Sequence, residues 1–250
     1  MTTKTASKNS QVTISIEKPV SMVDQIRKTL SDAIVNGKLS PGQLIKEKDL
    51  QKWFGVSRAP IREAIRLLEA DELVVVDAYR KKYVRRITFE YLNDIIPIAA
   101  CLEGFAARSA LKFMTKKQLK LLEQINDNME YAYTKKKYVE CAKQNFTFHQ
   151  TFIRTAQNKA LRRAAKSATK PIIWFWITQI YFKQSNIILL SIKEHKAIIE
   201  SFKNGNANET EQVVRNHILN ILGRSIEGSK FDENGDFIYQ DVSGIFSKKT

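Results

Sequence analysis

The chain contains three histidines, and each of them is a potential metal ligand. His149, His195 and His217 fall in three separate stretches of helical pattern. Asn145 lies four residues before His149, so these two side chains share a helix face. Three neutral imidazoles and one amide oxygen form a donor set suited to a borderline divalent cation such as Zn²⁺ or Ni²⁺. Sequence separation does not place the four residues together in space, so histidines with unrelated structural roles are the alternative.

Three histidines with an open coordination position would also suit a metal-dependent enzyme. Such an enzyme needs a general base within reach of the metal-bound water. Glu194 adjoins His195, but consecutive residues of a helix point about 100° apart, and no other acid lies in a recognisable catalytic motif. The sequence therefore favours a binding protein without catalytic residues over an enzyme.

A second set of residues suits contact with nucleic acid. Arg58 and Arg62 are four residues apart and share one face of a predicted helix, and Ser57 and Pro60 are typical of the start of that helix. A planar guanidinium can bind O6 and N7 of guanine together, which is worth about 1–3 kcal/mol of discrimination. Ser57 at the helix N-terminus can contact phosphate. Solvated or locally paired arginines are the alternative, which we favour for the more distal Arg66.

The elements that would position these arginines follow a definite order. Three helical patterns end near residue 70, and two β-branched or aromatic runs at 73–76 and 83–87 then predict a two-stranded hairpin. This is the layout of a winged helix-turn-helix, whose third helix enters the major groove of DNA. Further contacts with DNA are expected from basic residues of the second helix and the hairpin tip, namely Lys48, Arg80, Lys81 and Lys82.

Beyond residue 87 the pattern is almost entirely helical. The first 19 residues are polar and predict a flexible arm, and 227–250 predict a loose tail. The predicted fold class is mainly α, with an N-terminal winged helix-turn-helix over 20–87 and an all-α domain over 88–226. Capping and stop signals place its helices over about 88–113, 115–134, 136–156, 159–183, 187–203 and 207–224.

The overall charge points to a polyanionic partner. The chain has 41 Lys and Arg against 26 Asp and Glu, a formal net charge of +15, which favours nucleic acid, although a merely basic protein would show the same balance. Two cysteines without a pair pattern indicate a reducing compartment. The sequence shows neither an apolar signal core nor a bilayer-spanning stretch, so we expect a cytoplasmic protein with no membrane partner.

One motif closely resembles a known family. Residues 57–70, SRAPIREAIRLLEA, are similar to the recognition-helix signature of GntR-superfamily transcription regulators, and 39–45 and 50–58 fit the same pattern. The resemblance implies double-stranded operator DNA as the partner and a wing tip that reaches the minor groove. The family's wing usually carries a glycine, whereas 79–83 read YRKKY, so we expect phosphate contact more than base reading there. Operator-contact positions fall on Lys48, Ser57, Arg58 and Arg62.

The helical region is similar to the FadR-type C-terminal effector domain (FCD), an antiparallel helical bundle. Three segments carry the resemblance in order, namely NFTFH at 145–149, EHKAI at 194–198 and VRNH at 214–217. The resemblance implies a divalent metal, zinc or nickel, a small carboxylate effector, and a homodimer. The implied metal ligands are Asn145, His149, His195 and His217.

Two positions depart from that family pattern. Many relatives have a carboxylate where this chain has Asn145, so all four ligands would be neutral, and the ligands themselves would not compensate the charge of the cation. We therefore expect a greater demand for an anionic ligand. Ala99 stands where the family usually has an arginine facing the effector cavity, three residues before Leu102 and Glu103, so the usual anion clamp is missing.

These observations together predict a homodimeric DNA-binding transcription regulator, expected to act as a repressor. A small carboxylate effector, bound with a divalent metal in the helical domain, would control its affinity for the operator. A metal-dependent enzyme and an architectural DNA binder without an effector are the alternatives.

Overall fold

The computed structural model of the chain describes residues 20–168 and 185–228. The predicted arm at 1–19, the second part of the helix predicted over 159–183, and most of the predicted tail at 227–250 lie outside these ranges. Within the described ranges, the N-terminal part has three helices and a small sheet, and the rest of the chain is helical. The predicted fold class is therefore confirmed.

The N-terminal region consists of three helices and three short strands. Ser21 caps the first helix, because its side chain accepts a hydrogen bond from the backbone N–H of Asp24. The elements are α1 (Met22–Val35), β1 (Leu44–Ile45), α2 (Glu47–Phe54), α3 (Arg58–Ala70), β2 (Val74–Val76) and β3 (Lys82–Val84).

The sheet has one strand more than the sequence pattern predicts. Its strand order is β1-β3-β2, and both neighbouring pairs are antiparallel. The prediction of a two-stranded hairpin was incomplete because β1, with two residues, is too short to show the period-two alternation that marks a strand. Lys82 was predicted at the hairpin tip, but it is the first residue of β3 and pairs with Ile45 and Val76.

The three N-terminal helices pack around a continuous apolar core. Apolar residues recur every three or four positions on α1 and α3, which places them on one face of each helix. Each such side chain, when fully buried, contributes about 1.5–3 kcal/mol relative to exposure, so this core fixes the direction of α3 and the exposure of its opposite face. The buried residues are Ile26, Leu30, Ile34, Leu50, Ile61, Ala64, Ile65 and Leu68.

The first two of the helices that follow begin at a threonine that caps them. Thr88 accepts a hydrogen bond from the backbone N–H of Tyr91, and Thr115 and Gln118 form a capping box. A short 3₁₀ turn, Leu111–Phe113, follows the first of these helices. The helices are α4 (Phe89–Ala110), α5 (Lys116–Thr134), α6 (Tyr138–Thr155), α7 (Lys159–Ala168), α8 (Ser185–Asn204) and α9 (Ala207–Gly228).

Close packing of these helices brings α6, α8 and α9 around one buried centre. Helices α4 and α9 pack closely at Gly104 of α4. A Cβ added there would lie only 2.4 Å from Cγ of Arg215 of α9. Helix α5 contacts both α6 and α8. Within the described ranges, none of the helices is long and apolar enough to cross a membrane.

Candidate functional site

The three predicted histidines meet in the centre of the helical region. His149 comes from α6, His195 from α8 and His217 from α9, and all three are buried. The nitrogens that they offer as ligands lie within 4.8 Å of one another. The Nε2 atoms of His149 and His217 are 3.3 Å apart. Three helices that are distant in sequence therefore build one cluster of imidazoles.

Two carboxylates orient two of these rings. Oε2 of Glu103 lies 2.6 Å from Nδ1 of His149, and Oε2 of Glu194 lies 2.7 Å from Nδ1 of His217. An ionised carboxylate can only accept a hydrogen bond, so Nδ1 of each ring carries the proton and Nε2 carries a lone pair. This is the arrangement by which a carboxylate prepares a histidine for metal ligation through Nε2.

An amide orients the third ring. The Nδ2 group of Asn126 donates to the carbonyl oxygen of Ile192 at 3.2 Å, which fixes the amide so that its Oδ1 faces Nδ1 of His195 at 3.1 Å. The imidazole of His195 also stacks on the ring of Phe148, with 3.9 Å between ring centroids. Nε2 of His195 is fully buried and has no hydrogen-bond partner among the described residues.

The resulting cluster presents lone pairs to one small space. An unsatisfied buried polar atom costs about 1–3 kcal/mol, and two Nε2 lone pairs at 3.3 Å repel each other unless a cation lies between them. Burial is the main cause that holds the pKa of His195 well below its usual range, and the charges of His217 and His149 add to it. Burial also lowers the pKa of His217, despite its hydrogen bond with Glu194. Neutral imidazoles are the form that ligates metals, so these residues fit a divalent cation.

The fourth predicted ligand lies on the same helix as His149. Asn145 is one turn before it on α6 and is half-buried. Its role as a ligand stays a prediction.

Three residues behind the histidines, of which Glu103 and Asn126 are buried and Glu194 is partly buried, were not predicted as part of the site. Glu103 was noted as part of a family motif and Asn126 was not noted. Glu194 was considered only beside its sequence neighbour His195, whereas its carboxylate contacts His217, 23 residues further along the chain.

Groups behind the four predicted ligands, which are themselves neutral, would offset part of a cation's charge. Glu103 and Glu194 place two carboxylates directly behind the histidines. Arg224 binds the second of these, with Nη1 3.0 Å from Oε2 of Glu194. Burial raises the pKa of Glu194, but hydrogen bonds from His217 and Arg224 outweigh this and hold it at about 2. With a divalent cation present, these groups would leave a single positive charge at the site.

The predicted DNA-reading arginines lie at the start of α3. The side chains of Arg58 and Arg62 are 60 % and 59 % exposed, and Nε of each contacts Oε2 of Glu47, at 2.6 and 3.2 Å. The alternative of local pairing would have used Glu63 or Glu69 of the same helix, and neither arginine pairs with these acids among the described residues. Arg66 does pair with Glu63, at 2.7 Å, as favoured for that residue.

The wing tip is a tight turn organised by one aspartate. Oδ1 of Asp77 accepts hydrogen bonds from the backbone N–H groups of Tyr79 and Lys81. Arg80 adopts the left-handed backbone conformation, with φ 59°. A glycine would meet this requirement without steric cost. Arg80 and Lys81 are exposed, as expected of phosphate contacts.

The remaining predicted contact residues occupy different environments. Lys48 on α2 is exposed. Ser57 is at the N-cap position of α3, as predicted, but its side chain makes no capping hydrogen bond. Its exposed hydroxyl is therefore available for contact with phosphate. Lys82 lies in β3 rather than at the tip, and its Nζ is 2.9 Å from Oε1 of Glu47.

Comparison with known protein families gives two matches that together span most of the chain. Residues 22–80 match the family described as "Bacterial regulatory proteins, gntR family", and residues 94–220 match the FCD domain. The chain belongs to the GntR family and carries an FCD domain. This confirms the resemblance seen in the sequence, and it makes the chain a transcription regulator rather than an enzyme.

Curated relatives cover most of the chain. An uncharacterised HTH-type transcriptional regulator of Bacillus subtilis, YdhC, is 28 % identical over 203 residues, which is 81 % of this chain and 90 % of the relative. A protein of Paenarthrobacter nicotinovorans named a probable D-xylose utilization operon transcriptional repressor is 26 % identical over 202 residues, 80 % of this chain and 87 % of its own length.

Two solved structures share the fold. Escherichia coli McbR/YncC matches with a TM-score of 0.62 at 19 % identity and covers 84 % of this chain and 97 % of its own. A protein of Rhodococcus sp. RHA1 titled a putative transcriptional regulator GntR matches with a TM-score of 0.65 at 17 % identity. The match covers 83 % of this chain and 99 % of that protein. At these identities the likeness shows the fold alone.

Proposed function

We propose that this protein is a transcription repressor that responds to a small carboxylate bound with a divalent metal in its FCD domain. The observation that carries the proposal is the orientation of the three histidines, whose Nδ1 atoms are all held by acceptors while their Nε2 atoms face one buried space. The names of relatives, including a probable D-xylose operon repressor and a gluconate operon repressor of Bacillus subtilis, support the repressor role.

The proposed DNA-binding surface combines α3 with the wing. Arg58 and Arg62 project from the first turns of α3 and are exposed, which suits insertion into the major groove. The exposed hydroxyl of Ser57 and the helix N-terminus suit phosphate. The other proposed contacts are Lys48, Arg80 and Lys81, with Lys82 contributing positive charge from within β3.

The proposed metal site consists of His149, His195 and His217, with Asn145 as the fourth ligand. Nitrogen donors with an amide oxygen suit zinc or nickel. Bound there, the metal would supply positive charge and an open position for a carboxylate oxygen.

The charge of the site supports a singly charged carboxylate as effector. The divalent cation, the carboxylates of Glu103 and Glu194, and Arg224 together leave one positive charge. Ala99, at the position of the family's usual arginine, is buried and offers no charge. The metal is therefore the main attraction for the anion in this protein.

Regulation requires the effector to favour one arrangement of two modules over another. We propose a DNA-binding module over 20–87, an effector module over 88–226, and a homodimer that places two copies of α3 on related half-sites. Tyr91 of α4 links the modules, because its hydroxyl donates to Oε2 of Glu72, 2.7 Å away, in the turn after α3.

The DNA-binding claim is tested by selecting operator fragments from random duplexes and measuring their retardation. We expect Arg58→Ala and Arg62→Ala each to weaken specific binding by about 5- to 150-fold, the equivalent of 1–3 kcal/mol. Arg66→Ala, whose guanidinium already pairs with Glu63, is the control and should change binding little. Unchanged specific binding in both test variants would contradict the proposed surface.

The regulatory claim is tested on the same fragments. A panel of small carboxylates is added to metal-loaded protein and to protein stripped with a chelator. Release of DNA by at least one carboxylate from the loaded form alone supports the proposal. If a carboxylate releases DNA equally from loaded and stripped protein, the metal has no role in regulation. If no carboxylate changes the retardation of either form, an architectural DNA binder is favoured.

A further inference from the structure

One partly buried acid lies behind the proposed DNA-reading surface. Glu47 is the first residue of α2, and it contacts basic residues from two other elements. Its Oε2 is 2.6 Å from Nε of Arg58 and 3.2 Å from Nε of Arg62, both on α3. Its Oε1 is 2.9 Å from Nζ of Lys82 on β3. A single carboxylate therefore ties the second helix to the recognition helix and to the wing.

This carboxylate is held in its charged form although it is largely enclosed. The side chain of Glu47 is 12 % exposed. Burial raises its pKa, but hydrogen bonds from Arg58, Lys82 and Arg62 outweigh burial and hold the pKa at about 2. A carboxylate with three cationic partners is restricted in position, so it restricts the positions of those partners in turn.

The contacts leave the outer end of each arginine available. Glu47 binds Arg58 and Arg62 through Nε alone. Neither Nη group of these two arginines has a hydrogen-bond partner in the part of the chain that the structure describes. A guanidinium that reads guanine needs two outward N–H groups in a fixed plane, and a contact through Nε restricts that plane without using them.

We infer that Glu47 is a specificity-determining positioning residue, which holds Arg58 and Arg62 in the orientation that reads base edges and fixes the wing beside them. The inference rests on the proposed function, because it assumes that these arginines read the operator. Glu47 does not itself touch DNA in this account.

The inference predicts two effects of opposite sign when the charge of Glu47 is removed. A carboxylate close to DNA repels phosphate, so removing it strengthens sequence-independent binding. If Glu47 positions the arginines, the same change weakens discrimination between the operator and other sequences. A carboxylate that acts only through its charge would change both affinities alike and leave their ratio unaltered.

The matched control lies on α3. Glu63 pairs with Arg66 on the exposed face of the helix and contacts neither Arg58 nor Arg62. Glu47→Gln and Glu63→Gln therefore make the same change in net charge and nearly the same change in shape. The dissociation constants of both variants are measured against the selected operator and against a scrambled duplex of equal length, at several salt concentrations.

The expected result is a specificity ratio at least about tenfold lower in Glu47→Gln than in wild type, with the ratio of Glu63→Gln unchanged. Glu47→Asp, which keeps the charge but shortens the reach, should also lose discrimination, and thermal melting of each variant shows whether it is folded. Equal specificity ratios in folded Glu47→Gln and Glu63→Gln would overturn the inference. If Arg58→Ala and Arg62→Ala are themselves without effect, the proposed DNA surface fails instead.

Discussion

The carboxylate of Glu103 on α4 and the imidazole of His149 on α6 form a buried pair, with Oε2 of the acid 2.6 Å from Nδ1 of the ring. The contact sets the proton on Nδ1 and directs Nε2 toward His195 and His217. Because Glu103 belongs to a different helix from the three histidines, it connects the proposed metal site to α4, the helix that follows the DNA-binding module.

Replacing this carboxylate should weaken metal binding without removing a ligand. We expect Glu103→Gln to lower the affinity for Zn²⁺ or Ni²⁺ by about 10- to 100-fold, because an amide makes Nε2 of His149 a weaker donor. Competition with a chromophoric chelator measures this affinity. Glu123→Gln, which removes an exposed acid of α5 paired with Lys203, should leave it unchanged, and equal affinities in the two variants would contradict the role given to Glu103.

The left-handed conformation of Arg80 predicts a difference between two substitutions in the wing. Arg80→Gly and Arg80→Ala both remove the guanidinium, but glycine alone accepts φ 59° without steric cost. Glycine should therefore give a free energy of unfolding about 1 kcal/mol higher than alanine. Urea denaturation measures the two values. Both variants should show the same reduced dependence of DNA binding on salt, because both lack the guanidinium. A glycine variant less stable than the alanine variant would contradict the claim that the backbone at Arg80 is strained.

The close approach of α4 and α9 predicts that Gly104 does not tolerate a larger side chain. A Cβ at this position would lie 2.4 Å from Cγ of Arg215 and 3.1 Å from the backbone oxygen of Glu211. Gly104→Ala should therefore destabilise the protein by about 1–3 kcal/mol. Gly223→Ala is the matched control in α9, where a Cβ meets nothing within 4 Å, and it should be neutral or stabilising by up to about 1 kcal/mol.

The low pKa of Glu47 predicts a defined loss of stability in acid. Its folded-state pKa is about 2, against 4.5 for the free group. The stabilisation is therefore present above pH 4.5 and is lost as the pH falls toward 2. The difference in unfolding free energy between wild type and Glu47→Gln should be greatest near neutral pH, at most about 3 kcal/mol and less after solvent screening of the exposed arginines. Urea denaturation between pH 2.5 and 7 measures this difference, and a constant value across that range would contradict the assignment.

Local sequence signals predicted the helices because their causes are local. The capping residues Ser21, Thr88 and Thr115 each bind a backbone N–H three residues away. Helical periodicity then identified the buried faces of α1 and α3. The two-residue strand β1 carries no such period, since its place in the sheet depends on pairing with the distant β3.

The contacts that complete both proposed sites could not be predicted because they join distant elements. Glu103 and Asn126 meet their histidines across 46 and 69 residues. Glu47 meets Lys82 across 35 residues. Residue type and helix face showed which histidines and arginines could act, but tertiary packing decides which acids orient them. The wing was predictable in part. The sequence shows that its tip lacks glycine, whereas the left-handed conformation of Arg80 is visible only in the structure.

The most direct test of this account is the metal content of the protein after loading with Zn²⁺ or Ni²⁺ and exhaustive dialysis. Elemental analysis should find about one ion per chain in the wild type. His195→Ala, which removes the ring whose buried Nε2 has no partner in the described part of the chain, should lose the ion while circular dichroism shows an intact helical fold. A wild-type protein that retains no metal, or a His195→Ala variant that retains as much as the wild type, would contradict the account.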